Sequence, residues 1–124
     1  MHVELTLDVN DPERMIAFWS QVLGYELEDE ARFSADGERV YWSLIDPAER
    51  GPRLVIQRVP EPVSAKPRLH IDVHESDIEV AVARAVSLGA TRLDPSPVTE
   101  VGTSWIRLAD PEGNVFCIVH ERRP

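Results

Sequence analysis

The chain of 124 residues has a single cysteine, Cys117, so no disulfide can close within it. Positive charge is scarce: 13 Lys and Arg stand against 22 Asp and Glu, for a net charge of -9. The basic residues form no run, and a surface of that sign repels a phosphate backbone, so nucleic acid is not expected as a partner. Long apolar runs are missing too. No stretch approaches the roughly 20 residues that span a bilayer. The opening MHVELTLDVN lacks the basic start and apolar run of a signal peptide, so the expected address is cytoplasmic, away from membranes. What is present is a globular balance of 43% hydrophobic and 28% charged residues. A chain of this size removes roughly two thirds of its extended surface from water on folding, which makes a core without covalent staples feasible.

The first stretch, HVELTLDV, alternates strictly: Val3, Leu5, Leu7 and Val9 fall on one side, His2, Glu4, Thr6 and Asp8 on the other. That is a strand with one apolar and one polar face. A helix follows. Asn10 or Asp11 caps it, Pro12 suits its first turn, Ile16, Phe18, Trp19, Val22 and Leu23 form its stripe, and Gly24 stops it. Strands are expected around residues 25–32, 40–45 and 53–59, with SADGE as the turn between the first two. Then PEPVSAKP, residues 60–67, denies both helix and ladder hydrogen bonds and reads as a link.

Beyond the link the plan repeats. RLHIDVH is a strand, Ser76 with Glu79 caps a helix with the stripe Ile78, Val82, Ala85 and Val86, and Gly89 ends it. Strands are expected at 91–93, 103–109 and 114–120, with DPEGN as a tight turn in which Gly113 takes the left-handed position. DPSPVTEVGTS reads as a mobile rim or a solvated connection. By position Glu4 matches His70, and Gln57 matches Cys117. Helices are expected on one face of each half-sheet, leaving the polar face with Glu4, Thr6, Asp8, His70, Asp72 and His74 for a cleft.

On LDVNDPERMIAFWSQVLGYEL, RLHIDVHESDIEVAVARAVSLGATRL and WIRLADPEGNVFCIVHE the chain resembles the vicinal oxygen chelate superfamily, which includes glyoxalase I, bleomycin-resistance proteins and extradiol dioxygenases. The ending NVFCIV is similar to glyoxalase-like domains. The resemblance implies an α+β fold: one glyoxalase-like domain over residues 1–124, built from βαβββ modules at 1–59 and 68–124 whose sheets curve around a cleft. It also implies a homodimer and a small-molecule ligand in that cleft. In metal-dependent relatives, ligands stand on the first and last strands of each module. Carried over by position these places hold Glu4, Gln57, His70 and Cys117. The glyoxalase pattern asks for carboxylates at the second and fourth places, which here are Gln57 and Cys117. The dioxygenase pattern asks for two His and a Glu clustered on the second module, where His70 alone answers.

Each residue carries a chemical reading and a plainer one. His70 can be a ligand or a general base, or a structural histidine held by a carboxylate such as Asp72. Glu4 can be its partner in holding a divalent cation or in moving a proton, or it can be wet at a strand end. Cys117 reads first as a small apolar residue between Phe116 and Ile118, because nothing beside it in the sequence would activate a thiol. As a thiolate it would favour Zn²⁺; a carboxylate and imidazole set suits Ni²⁺, Mn²⁺ or Fe²⁺. Gln57 can orient a ligand carbonyl. Trp42, Trp105 and Arg107, with Asp72, can line a mostly apolar pocket. Of Tyr41 and Trp42, alternation sends only one to the cleft. Two functions therefore stand: a protein that holds a small organic molecule, and a metal-dependent lyase, isomerase or dioxygenase acting through His70 and Glu4.

Overall fold

A computed structural model describes residues 2–29, 32–33 and 36–121, with the backbone alone for 32–33. The chain divides into two compact units, Met1–Pro62 and Val63–Pro124.

In the first unit, β1 (Glu4–Val9) leads into α1 (Pro12–Leu23), followed by β2 (Glu26–Leu27), β3 (Arg32–Phe33), β4 (Arg39–Ile45) and β5 (Arg53–Arg58). β1 lies parallel to β5, which pairs antiparallel with β4; β4 in turn pairs with β2 and β3. Asp11 caps α1 by accepting the Arg14 N–H at 3.2 Å, and Gly24, at φ 68°, supplies the left-handed stop. The buried stripe is Met15, Phe18 and Trp19, which shifts the start of the expected stripe from Ile16 to Met15. The i, i+3, i+4 spacing of these residues is that of a helix lying on a sheet. Phe18 and Trp19 meet edge to face, with centroids 5.2 Å apart, and are buried, as are Val9, Leu44, Leu54 and Ile56 of the sheet. Residues of this size each stabilise by about 1.5–3 kcal/mol when fully buried. The expected SADGE turn falls partly outside the described residues.

The second unit repeats the plan with β6 (Asp72–Glu75), α2 (Ile78–Ser87), β7 (Thr91–Arg92), β8 (Val98–Glu100), β9 (Thr103–Ala109) and β10 (Val115–His120). β6 is parallel to β10, β10 antiparallel to β9, and β9 pairs with both β7 and β8. Ile78, Val82 and Ala85 of α2 are buried, as are Ile106, Leu108, Phe116 and Ile118 of the sheet.

Three expectations need correction here. The α2 cap is Asp77, which accepts the Val80 N–H at 3.2 Å, rather than Ser76; the carboxylate one position later has the reach to the helix donor. Part of the stretch read as a rim or connection is the short strand β8, paired with β9 through Val98↔Trp105 and Glu100↔Thr103. Its prolines, Pro95 and Pro97, precede the strand and so remove no ladder donor. Finally, β6 begins at Asp72, not at residue 68: Leu69 is 77% exposed, and His70 lies just ahead of the strand.

Candidate functional site

In the second unit the helix-free face of the sheet carries a row of side chains across three strands. Asp72 of β6 is the parallel partner of Cys117 on β10, and Cys117 is the antiparallel partner of Arg107 on β9. Paired residues share a face, so the three stand side by side. Alternation places Val115 and Val119 with Cys117, and Thr103 and Trp105 with Arg107, while Phe116, Ile106 and Leu108 point to α2. Together with His70, and with Lys66 and Pro67 from the link, these residues line a hollow of about 510 Å³.

At one end of the row His70 Nδ1 lies 2.7 Å from Asp72 Oδ1. An ionised carboxylate there accepts from Nδ1–H and leaves Nε2 as the acceptor nitrogen. Cys117, 8% exposed, stands beside Asp72 as its strand partner. Burial pushes its thiol up to about 11, with the charge of Asp72 adding to the shift against a smaller opposing effect of Arg107. The opening ambiguity of Cys117 is thereby narrowed: it is not poised as a nucleophile. The ligand atoms of His70, Asp72 and Cys117 all lie within 4.8 Å of one another, close enough to surround one ion.

At the other end Arg107 is fixed by Asp94. The Asp94 carboxylate accepts the Arg107 backbone N–H at 2.9 Å, Nη2 at 2.8 Å and Nε at 3.1 Å. These bonds to Arg107 hold the Asp94 carboxyl below the usual carboxylate range, and the guanidinium is shifted up in return. Asp94 was not singled out from the sequence. It sits in a proline-containing loop thirteen residues from its partner, with no periodicity to link the two. Lys66 and Pro67 read only as linker and were missed for the same reason.

The family model for the glyoxalase-like domain matches residues 4–119. The chain belongs to that family, within the vicinal oxygen chelate superfamily. No functionally curated protein matches it. Among solved structures it is similar to a glyoxalase/bleomycin resistance protein/dioxygenase family enzyme from Burkholderia phytofirmans PsJN, at 19% identity and TM-score 0.74, with 94% of this chain and 95% of the other covered. It is also similar to a glyoxalase family protein from Bacillus cereus, at 17% identity and TM-score 0.76, covering 99% and 95%. A fosfomycin resistance protein from Mesorhizobium loti aligns at 16% identity and TM-score 0.71, covering 98% and 92%. At these identities the likeness establishes the fold.

Within this glyoxalase-like chain the two units can be aligned by their own geometry. The caps Asp11 and Asp77 are separated by the same number of residues as Glu4 and His70, so the expected equivalence of Glu4 and His70 holds. The same offset matches Asp8 with His74 and Thr6 with Asp72. Because Asp8 pairs with Gln57 and His74 with Val119, Gln57 corresponds to Val119; Thr6 pairs with Val55, so Val55 corresponds to Cys117. The expected match of Gln57 with Cys117 is thus displaced by two residues, because sequence similarity of the last strands does not set their register against the first.

Glu4 is engaged within the first unit, with Oε2 3.7 Å from Arg53 and Oε1 3.9 Å from His2. Gln57 pairs with Tyr41 on the helix-free face, whereas Trp42 pairs with Ile56 on the α1 side. There Trp42 is flanked by the guanidinium groups of Arg39 and Arg58, 5.1 and 5.7 Å from the ring centroid. The expectation that Trp42 lines a cleft is corrected accordingly: the strand period gives that face to Tyr41.

Proposed function

We propose that this protein binds a small organic molecule in the hollow of its second unit, with Trp105, Val115 and Val119 against the apolar body of the ligand and the His70, Asp72 and Cys117 cluster at its polar end. The observation that carries this reading is the hollow itself: about 510 Å³, on a sheet face that no helix of its unit covers. Such a volume, apolar with a few convergent polar groups, is what ligand sites have. Gln57 and Glu4, on the helix-free face of the first unit, are retained as further candidates for ligand contact and proton transfer. A homodimer is part of the proposal and is tested by light scattering on the purified chain.

The deciding experiment follows the assigned indole resonance of Trp105 by NMR against a panel of small carbonyl compounds and drugs, alongside thermal shifts. A ligand at 100 times its dissociation constant adds about 2.7 kcal/mol of stability. Ligands that raise Tm, move the Trp105 signal and lose the thermal shift in Trp105→Ala support the proposal. Ligands that bind without touching Trp105 overturn its location.

A second reading rests on the cluster of His70, Asp72 and Cys117. Nitrogen, oxygen and sulfur donors within 4.8 Å suit one divalent ion, with Zn²⁺ favoured over Ni²⁺, Mn²⁺ or Fe²⁺ by the thiol. An ion held there would replace the hydrogen bond that now joins His70 and Asp72 and would supply Lewis acidity toward a carbonyl oxygen. In that reading His70 and Asp72 hold the ion, and a metal-dependent lyase, isomerase or dioxygenase activity becomes chemically accessible. Without an ion, His70 acts as the base through Nε2 while Asp72 fixes its tautomer. Elemental analysis after tag-free purification, repeated on His70→Ala, Cys117→Ser and Glu4→Gln, decides. About one metal per chain, lost in the first two variants, supports the metal reading. A thiolate-to-cobalt charge-transfer band on adding Co²⁺ checks the sulfur ligand apart from activity. Retention of metal in His70→Ala sinks it.

A further inference from the structure

We infer that the hollow selects ligands bearing an oxyanion, a carboxylate or a phosphonate, and that Arg107 receives it. The inference rests on the small-molecule reading above and narrows its ligand class.

Arg107 lines the hollow, and its side chain is 48% exposed. Asp94 takes its Nε and Nη2 donors, while Nη1 has no partner among the described residues. A guanidinium clamped along one edge keeps its plane and offers its remaining donors in a fixed geometry, which suits the paired oxygens of a carboxylate or phosphonate. Lys66 lines the same hollow and makes no ion pair among the described residues. Two cations, Lys66 and Arg107, thus line the hollow beside one carboxylate, Asp72, in a chain of net charge -9.

The one carboxylate on the row itself, Asp72, is already engaged by His70, with Nδ1 2.7 Å from Oδ1. The row is therefore polarised, with a carboxylate engaged by His70 at the Asp72 end and a donor left over at the Arg107 end. An anionic head belongs at Arg107, and the antiparallel pair Trp105 and Val119, one step along the same strands, provides the apolar bed beside it. Asp94 contributes by orienting Arg107 and is a positioning residue.

The test uses three probes of one shape on the intact protein: benzoate, phenylphosphonate and benzamide, titrated while following the Trp105 indole resonance. The expected result is that at least one anion binds about tenfold or more tightly than neutral benzamide, with a preference that weakens as salt is added. The benzoate and phenylphosphonate arms tell which oxyanion is preferred. Arg107→Gln removes the donor but strands Asp94, so Asp94→Asn/Arg107→Gln is made beside it as a variant without the orphaned charge. In either variant that retains a cooperative melt, discrimination between benzoate and benzamide should shrink to about twofold, chiefly through loss of benzoate affinity. Benzamide binding as well as both anions in the wild type overturns the oxyanion assignment and leaves the hollow as a ligand site. Discrimination that survives in both variants overturns the role of Arg107. No response of Trp105 to any of the three probes overturns the inference together with the reading beneath it.

Discussion

Asp94 holds Arg107 by both backbone and side chain, accepting its backbone N–H at 2.9 Å, its Nη2 at 2.8 Å and its Nε at 3.1 Å. One carboxylate thus ties the loop after β7 to the middle of β9 and sets the direction of the guanidinium that lines the hollow.

Asp94→Asn should lower Tm at pH 7 by a few degrees, an effect moderated by the solvent that reaches the half-exposed Arg107. The pH dependence has a definite sign. The folded carboxyl lies below its ordinary value of 3.8, so its contribution is present in full above that value and is lost as pH falls through the lower folded one. The difference in Tm between wild type and Asp94→Asn should therefore narrow below about pH 4, as read by calorimetry across pH. A difference that widens in acid contradicts the assignment.

The cap of α2 separates two neighbouring residues. Asp77→Ala should destabilise by about 1 kcal/mol because the Val80 N–H loses its acceptor. Ser76→Ala should stay within about 0.5 kcal/mol of wild type. Urea denaturation with unchanged m distinguishes them, and equal losses would return the cap to Ser76.

Val101 occupies the tip of the β8–β9 hairpin at φ 51° with its side chain 92% exposed, followed by Gly102 at φ 74°. Two consecutive positive φ values suit an Asn-Gly turn, while a β-branched residue is strained there. Val101→Asn should stabilise by about 1 kcal/mol, measured by the same denaturation.

Cys117 should be sluggish toward alkylation. Burial and the charge of Asp72 raise its thiol to about 11, so in chelator-treated protein at pH 8 iodoacetamide should react at least about tenfold more slowly than with the unfolded chain. Reaction at the unfolded rate would show that the thiol is not buried beside Asp72.

The periodicities in the sequence determined a great deal. The alternation of Glu4 to Val9, the proline-bearing start of α1 and its stop at Gly24, and the duplication in which His70 takes the place of Glu4 all follow from local backbone chemistry. The polarity of the strands made His70 and Asp72 legible as candidates, and the family resemblance supplied Cys117; with Trp105 and Arg107 these residues line one hollow.

Only the tertiary structure decided which strand stands beside which and in what register. That is why Cys117 lies against Asp72 and corresponds to Val55 rather than Gln57, why Trp42 turns to α1, and why a loop acid, Asp94, reaches Arg107. The physical reason is that the strand period fixes faces but not partners. Pairing is chosen by burial of the apolar faces against the helices, and long-range contacts such as Asp94 to Arg107 exist only once that choice is made.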